Sequence, residues 1–341
     1  MFNWRILLFP FAFIYGCIVA FRNFLFNSGF LNSYLIPSKS IVVGNLSVGG
    51  TGKSPHVLYI LDLISNNSPQ AIISRGYGRK TKGLIEVDEK SLSDQVGDEP
   101  LMFKKRLKEN ATVVVAEERK IGVDFVLAKN PKSIILLDDA FQHRHVKAGF
   151  SVLLTDLSNP YYNSFMLPAG DLREWSSGKN RADCVVVTKC PDQLSDIAKL
   201  KIKSKLKWQN ENVFFSKMIY GDIVPFGEKT IDFKNVLLVT GIANPKPLHE
   251  MLNQKYKVEL IYFPDHHNYT KGDIDKILRK FDIFASDEKA IITTEKDYVR
   301  LEPLLAEMDK LDYPWFYQAI SVKIDEEEKF KTLINTYVDT I

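Results

Sequence analysis

SIVVGNLSVGGTGKSP, residues 40–55, decides how the rest of the chain is read. Ile41, Val42 and Val43 form a β-branched run, and Gly49, Gly50, Thr51 and Gly52 make a flexible loop. Lys53, Ser54 and Pro55 then open an apolar segment predicted as a helix to about Ile64. Strand, glycine loop, Lys-Ser and helix together are the context that a phosphate-binding loop requires. Backbone N–H groups and the helix N-terminus favour an anion at that point. Lys53 would reach the β- and γ-phosphates, and the Ser54 hydroxyl would ligate Mg²⁺. Ser47 stands where the first glycine of the general pattern is usual. The rival is an ordinary glycine-rich turn, and the strand-to-helix context weighs against it.

Around that loop, composition bounds the class of protein. A chain of 341 residues, 45% apolar and 26% charged, is globular and long enough for two cores. The net charge of +3 is too slight for a nucleic-acid binder driven by bulk charge. Cys17, Cys184 and Cys190 form neither a disulfide framework nor a zinc spacing, which fits a reducing cytosol. No internal repeat or low-complexity tract is visible.

The first 38 residues are of another kind. Arg5 and Arg22 are their only charged side chains, and residues 6–21 form an uncharged, Phe-rich run. Sixteen residues fall short of the ~20 that span a bilayer. A second aromatic stretch follows with Phe24, Phe26, Phe30 and Tyr34. A secretory signal would carry the phosphate loop away from ATP, and no clear small-residue cleavage site follows. A buried core helix is the bland alternative. The favoured expectation is a helix or helical hairpin in the membrane interface, with aromatics at headgroup level and arginines near lipid phosphates.

Downstream of the loop, the residues that can do chemistry cluster after apolar runs. Residues 70–73 read as a strand leading into Ser74-Arg75-Gly76-Tyr77-Gly78-Arg79-Lys80, either a solvated basic turn or an anion contact. Asp98 or Glu99 suits a helix N-cap, with Pro100 at the first helical position. Adjacent carboxylates near a nucleotide also suit a catalytic base. Residues 112–115 form another strand, followed by Glu117, Glu118 and Arg119. The apolar strand at 133–137 ends in Asp138 and Asp139, where ligands bind in open α/β sheets. Beside a phosphate loop this pair reads as the element that holds Mg²⁺ or water, the alternative being a helix cap. Residues 152–154 and 184–187 extend the sheet, with the Arg173-Glu174 pair in a loop between them. Thr188-Lys189-Cys190-Pro191-Asp192 approximates a guanine-reading loop, but its aspartate comes one position late, so GTP is discounted.

From about Tyr220 the pattern restarts, with strands expected at 236–239, 260–263, 290–293 and 315–320 and a last helix at 326–337. The fold class expected is α/β: a P-loop NTPase-like α/β/α sandwich at 39–220 and a smaller α/β domain at 221–341, preceded by a membrane-associating segment at 1–38. The informative loop of the second domain is Phe263-Pro264-Asp265-His266-His267-Asn268-Tyr269, where histidines beside a carboxylate could tune a proton acceptor. No third ligand at metal spacing accompanies them. Thr294-Glu295-Lys296-Asp297 looks chiefly like a helix-capping motif.

The pieces VVGNLSVGGTGKSP, SRGYGRK, VGDEP, LLDDAFQHR, LPAGDLRE, FPDHHNY and TTEKDYVRL occur in one order between Val42 and Leu301. Together they resemble the tetraacyldisaccharide 4′-kinase, or lipid A 4′-kinase, family of Gram-negative bacteria. Two positions depart from its pattern. Ser54 stands for the more usual Thr and keeps the hydroxyl, and Ala140 stands where glycine is common.

The resemblance implies ATP- and Mg²⁺-dependent phosphorylation of the 4′-hydroxyl of a tetraacylated glucosamine disaccharide 1-phosphate, giving lipid IVA. It implies a peripheral enzyme at the cytoplasmic face of the inner membrane; no obligate protein partner is inferred, and the slight net charge speaks against nucleic acid. It assigns Asp98 as the base that receives the 4′-hydroxyl proton, with His266 assisting. Gly49, Gly50, Thr51, Gly52, Lys53 and Ser54 would hold the nucleotide, and Ser54, Asp138 and Asp139 the metal. Arg75, Arg119, Arg173 and Glu174 are candidates for the acceptor side or for closure. Because Asp98 and His266 fall in different expected domains, activity would require domain closure. Two rivals remain. One is a membrane-associated P-loop switch acting through a protein partner, and the other is a soluble kinase of a small polar metabolite.

Overall fold

Residues 40–45 are buried at every position, as expected of a strand covered on both faces. Ile41 and Val43 point into one core and Val42 into the other. That alternation makes this strand the axis of a three-layer α/β/α body. The computed structural model describes residues 4–64, 68–208, 211–227, 231–284 and 288–339.

One sheet of twelve strands runs through the molecule. In chain order these are β1 (Ser40–Asn45), β2 (Gln70–Ser74), β3 (Ile85–Glu86), β4 (Ala111–Val115), β5 (Ile134–Asp138), β6 (Phe150–Asp156), β7 (Cys184–Thr188), β8 (Val213–Pro225), β9 (Asn235–Thr240), β10 (Lys257–Tyr262), β11 (Lys289–Thr294) and β12 (Trp315–Ile324). Their spatial order is β10-β9-β11-β12-β8-β7-β6-β1-β5-β2-β4-β3. Pairing is parallel except between β3 and β4 and between β8 and β12. The labelled helices are α1 (Phe9–Asn27), α2 (Lys53–Leu63), α3 (Asp98–Leu107), α4 (Arg119–Lys129), α5 (Asp196–Leu206), α6 (Lys246–Leu252), α7 (Lys271–Ile283), α8 (Glu295–Glu307) and α9 (Glu327–Asp339).

Sequence patterning missed the two-residue β3 and, more consequentially, the long strand β8. Ser216, Lys217, Gly221 and Asp222 interrupt the apolar character of β8, and its second half is only partly buried. Residues 213–215 pair with β7, whereas 216–225 pair antiparallel with β12. This strand therefore joins the two halves of the sheet, and residue 220 lies inside it. Beyond it, Leu237, Ile274, Leu301 and Trp315 centre a core on one face, and Val236, Leu252 and Phe316 one on the other. The terminal helix α9 returns to the first half, where Phe330 and Ile334 pack with Val57, Leu61 and Phe214.

The N-terminal segment is one helix, not a hairpin. After α1 the chain turns through Gly29 at φ +76°, and Tyr34-Leu35 pairs parallel with Val146-Lys147. Nor is α1 a core helix, because its buried residues are Ala12, Gly16 and Phe26. Phe11, Phe13, Ile14, Ile18, Phe21 and Phe24 are each at least 55% exposed. Trp4–Asn27 is long and apolar enough to cross a membrane by length and composition. Its polar groups, by contrast, face the protein. Arg5 donates to Asp171 Oδ1 at 2.9 Å, Tyr15 to the Arg173 carbonyl at 3.0 Å, and Arg22 to the Gln142 carbonyl at 3.2 Å.

Candidate active site

The site forms where β1, β2 and β5 end together. Val43 lies opposite Asp138 in the β1–β5 ladder, so the start of the phosphate loop and the acidic pair are neighbours. Gly49 and Gly52 turn the loop at φ +104° and +83°, a region that costs other residues side-chain clashes. Gly52 is the N-cap of α2, which aims the first amides of that helix into the loop.

Lys53 and the acidic pair meet as the sequence suggests. Lys53 Nζ lies 3.7 Å from Asp139 Oδ2, and Arg173 donates to both oxygens of Asp139 at 2.9 and 3.1 Å. Asp138 is 1% exposed and accepts from Ser74 Oγ at 3.1 Å. Its Oδ1 has no hydrogen-bond partner among the described residues. Burial, then the nearby Glu99 and Asp139 carboxylates, push its pKa up to about 7. A divalent cation at Oδ1 would favour the ionised form of this carboxylate.

Asp98 or Glu99 suits the N-cap by sequence, and the structure gives that position to neither. Gly97, at φ +92°, holds the N-cap of α3, and Asp98 and Glu99 begin its first turn. Both side chains therefore project away from the cap and make separate contacts. Asp98 Oδ2 lies 3.0 Å from His266 Nδ1 and 3.5 Å from Arg300 Nε. The bond to Asp98 raises the His266 pKa against the opposing effect of burial, and Asp265 adds to the rise. Glu99 Oε1 accepts from Ser54 Oγ at 2.9 Å and also from Lys296 Nζ. Burial alone would raise its pKa, but Lys296, Lys53 and Ser54 outweigh that and hold it well below the usual carboxylate range.

The second lobe presents His266 on a rigid base. Asp297 is fully buried and accepts from Thr294 Oγ1 at 2.6 Å, Tyr269 Oη at 3.0 Å, the Gly241 amide at 3.0 Å and Arg300 Nη2 at 3.1 Å. Arg300 in turn donates to the His267 carbonyl at 2.8 Å. The two histidines divide their work. His267 stacks on Phe263 and meets Asp273 at 3.1 Å, where Asp273 also completes the capping box of α7. His266, at φ +55°, is thereby turned toward Asp98. The capping reading of Thr294 holds, since its hydroxyl accepts from the Asp297 amide. Lys296 within the same motif does more than cap: it crosses to Glu99 in the other lobe.

The remaining candidates separate. Arg119 is 2% exposed, donates to the Ala116 carbonyl at 2.8 Å and feels Asp138. Arg75 is exposed on the neighbouring loop. Glu174 is 2% exposed and accepts from Asn23, Gln142 and Arg181, so its carboxylate anchors α1 to the body. Sequence reading passed over Lys296, Arg300 and Ser74. Lys296 and Arg300 lie in the quoted TTEKDYVRL piece, and Ser74 heads SRGYGRK.

Comparison with known proteins bears on this arrangement. The family model described as tetraacyldisaccharide-1-P 4′-kinase matches residues 4–339. The chain belongs to that family. It is 43% identical to the tetraacyldisaccharide 4′-kinase of Flavobacterium johnsoniae, over 98% of this chain and 97% of that protein. It is 38% identical to the Bacteroides thetaiotaomicron enzyme of the same name, over 97% and 92%. A crystal structure of the Aquifex aeolicus family member in complex with ATP superposes with a TM-score of 0.78 at 30% identity, covering 98% of this chain and 99% of that one. As a member of this kinase family the chain is an enzyme, and the partner-switch reading falls away.

Proposed function

We propose that this chain transfers the γ-phosphoryl group of ATP to the 4′-hydroxyl of a tetraacylated glucosamine disaccharide 1-phosphate, giving lipid IVA. The observation that carries the reading is the 3.0 Å pair of Asp98 and His266, drawn from two lobes, with Asp98 next to Glu99, which accepts from Ser54 of the phosphate loop. A nucleotide switch needs no acceptor-side base, whereas a kinase does.

In this reading the amides of Gly49, Gly50, Thr51 and Gly52, with Lys53, hold the triphosphate. The donor set fits Mg²⁺, because Ser54, Asp138 and Asp139 offer oxygens and Asp138 Oδ1 lacks a partner among the described residues. When bound, the cation would neutralise charge on the phosphate oxygens. Asp98 accepts the 4′-hydroxyl proton as O4′ forms its bond to the γ-phosphorus, and the bond to the β-phosphate oxygen breaks to leave ADP. The imidazole beside Asp98 gives the proton a further acceptor. Arg75, exposed on the neighbouring loop, and the partly exposed Arg173 supply cations for the acceptor side, while the buried Arg119 backs the acidic pair.

The lobes meet at β8, and the Asp98–His266 pair expected to need domain closure already stands at hydrogen-bond distance, 3.0 Å. We take the phosphate-loop body and the second lobe as the two domains, joined within β8 instead of divided at 220/221 and with α9 packed on the first, and 1–38 as the membrane-associating segment. The exposed aromatic face of α1 would sit in the bilayer interface at the cytoplasmic face of the inner membrane, where ATP and an acylated acceptor meet.

Incubating the chain with tetraacyldisaccharide 1-phosphate, Mg·ATP and detergent, then weighing the lipid by mass spectrometry, tests this. The expected product is heavier by one phosphoryl group, placed at the 4′ position by fragmentation. ATP binding without a phosphorylated lipid would reject the proposal.

A further inference from the structure

The phosphate loop rests on a buried imidazole that phosphoryl transfer does not use. His56 lies in the first turns of α2 and is 1% exposed. Its Nδ1 is 2.6 Å from the Gly52 carbonyl oxygen, and its Nε2 is 2.9 Å from Ser216 Oγ. A carbonyl only accepts, so Nδ1 carries the proton and Nε2 of the neutral ring accepts from the Ser216 hydroxyl. Burial pushes the His56 pKa down to about 4, so the ring keeps this neutral form at working pH.

Both ends of this bridge lie at special places. Gly52 is the left-handed N-cap residue between the loop and α2, and its carbonyl also accepts the His56 amide at 3.3 Å. One residue thus closes on that carbonyl with both backbone and ring. Ser216, 2% exposed, is where β8 leaves its parallel pairing with β7 and takes up antiparallel pairing with β12. Met218 of the same strand also backs the loop, since a Cβ added at Gly52 would lie 3.9 Å from its Sδ. A ring needed only to fill space requires no donor and acceptor on opposite edges. His56 has both, one aimed at the loop and one at the joint between the lobes.

We propose that His56 is a positioning residue that couples the phosphate loop to the interlobe strand β8, so that nucleotide occupancy and lobe position bias each other through Gly52, His56 and Ser216. This rests on the kinase reading. A shift of the Gly52 carbonyl on nucleotide binding is felt at Ser216 through two hydrogen bonds, and movement of β8 is felt at the loop by the same route.

Hydrogen exchange and kinetics test it together. In the wild-type chain, a non-hydrolysable ATP analogue with Mg²⁺ should slow amide exchange across residues 213–225. In Ser216→Ala and His56→Phe that response should fall at least threefold, with KM for ATP raised threefold to tenfold and KM for the lipid unchanged. Ser216→Ala removes one oxygen and leaves the ring in place, so it keeps the test readable if His56→Phe does not fold. His56→Gln, which offers both a donor and an acceptor, should recover part of the coupling. A wild-type-sized exchange response in Ser216→Ala, or no response in the wild type, would overturn the coupling. If the wild-type chain made no phospholipid product, the kinase reading would fail while the exchange result stayed interpretable.

Discussion

Replacing Lys296 by methionine takes one cation from a contact that joins the two lobes. Lys296 Nζ donates to Glu99 Oε1, and their side chains are 31% and 24% exposed. Breaking a fully buried pair costs ~3–5 kcal/mol, whereas an exposed pair contributes ~0–1 kcal/mol. The intermediate burial here, with Ser54 Oγ still donating to Glu99 at 2.9 Å, gives about 2 kcal/mol. For a chain of 341 residues that corresponds to a fall of about 3 °C in Tm. Denaturant unfolding of the wild type, Lys296→Met, Glu99→Gln and the double variant closes a thermodynamic cycle. The double variant should be less destabilised than the sum of the two singles, by about 1–2 kcal/mol. Additivity within about 0.5 kcal/mol would refute the interlobe contact and, with it, the placement of Lys296 at the phosphate loop.

Three further outcomes follow from the same geometry. The Asp98 bond raises the His266 pKa above its ordinary 6.5, so its contribution to stability is full below pH 6.5 and is lost as pH rises through the raised value. For activity the sign is opposite: turnover that needs a neutral His266 should rise with pH through that raised value, and Asp98→Asn should move the inflection to lower pH in a pH–rate profile. Asp297→Ala should cost about 3–5 kcal/mol, because it leaves the buried Arg300, Tyr269 and Thr294 groups without their shared acceptor, as measured by denaturant unfolding. Changing Phe13, Ile14 and Phe21 together to serine should reduce co-sedimentation with anionic lipid vesicles severalfold while activity in detergent persists.

What could be read from the sequence follows from how local each signal is. The phosphate loop and the strand ending in Asp138 and Asp139 were legible because strand, glycines, Lys-Ser and helix lie within a few residues of one another. The Asp98–His266 pair joins residues 168 apart, and no spacing rule connects them. It was visible through the family resemblance, which supplied both partners. Lys296 was hidden because Thr294 and Asp297 do form a cap, and that local explanation left nothing over. Asp98 and Glu99 looked like caps for the same reason, until Gly97 took the cap position. Glu174 resembled an acceptor contact beside Arg173, yet its neighbours in space are Asn23, Gln142 and Arg181. The strand β8 escaped because a polar, half-exposed joint lacks the apolar run that marks a central strand. His56 was legible as a histidine but not as a bridge, because Ser216 lies 160 residues away.

The central claim is that Asp98 receives the acceptor proton while the phosphate loop binds ATP independently. Single-turnover phosphoryl transfer by Asp98→Asn, run beside a direct measurement of ATP affinity, tests it most directly. Asparagine keeps the volume and can still accept from His266, but it cannot take a proton. The account predicts a rate lowered ~10²–10⁴-fold, the usual contribution of a general base, with ATP affinity within about twofold of wild type. A transfer rate within tenfold of wild type, or the loss of ATP binding, would contradict it.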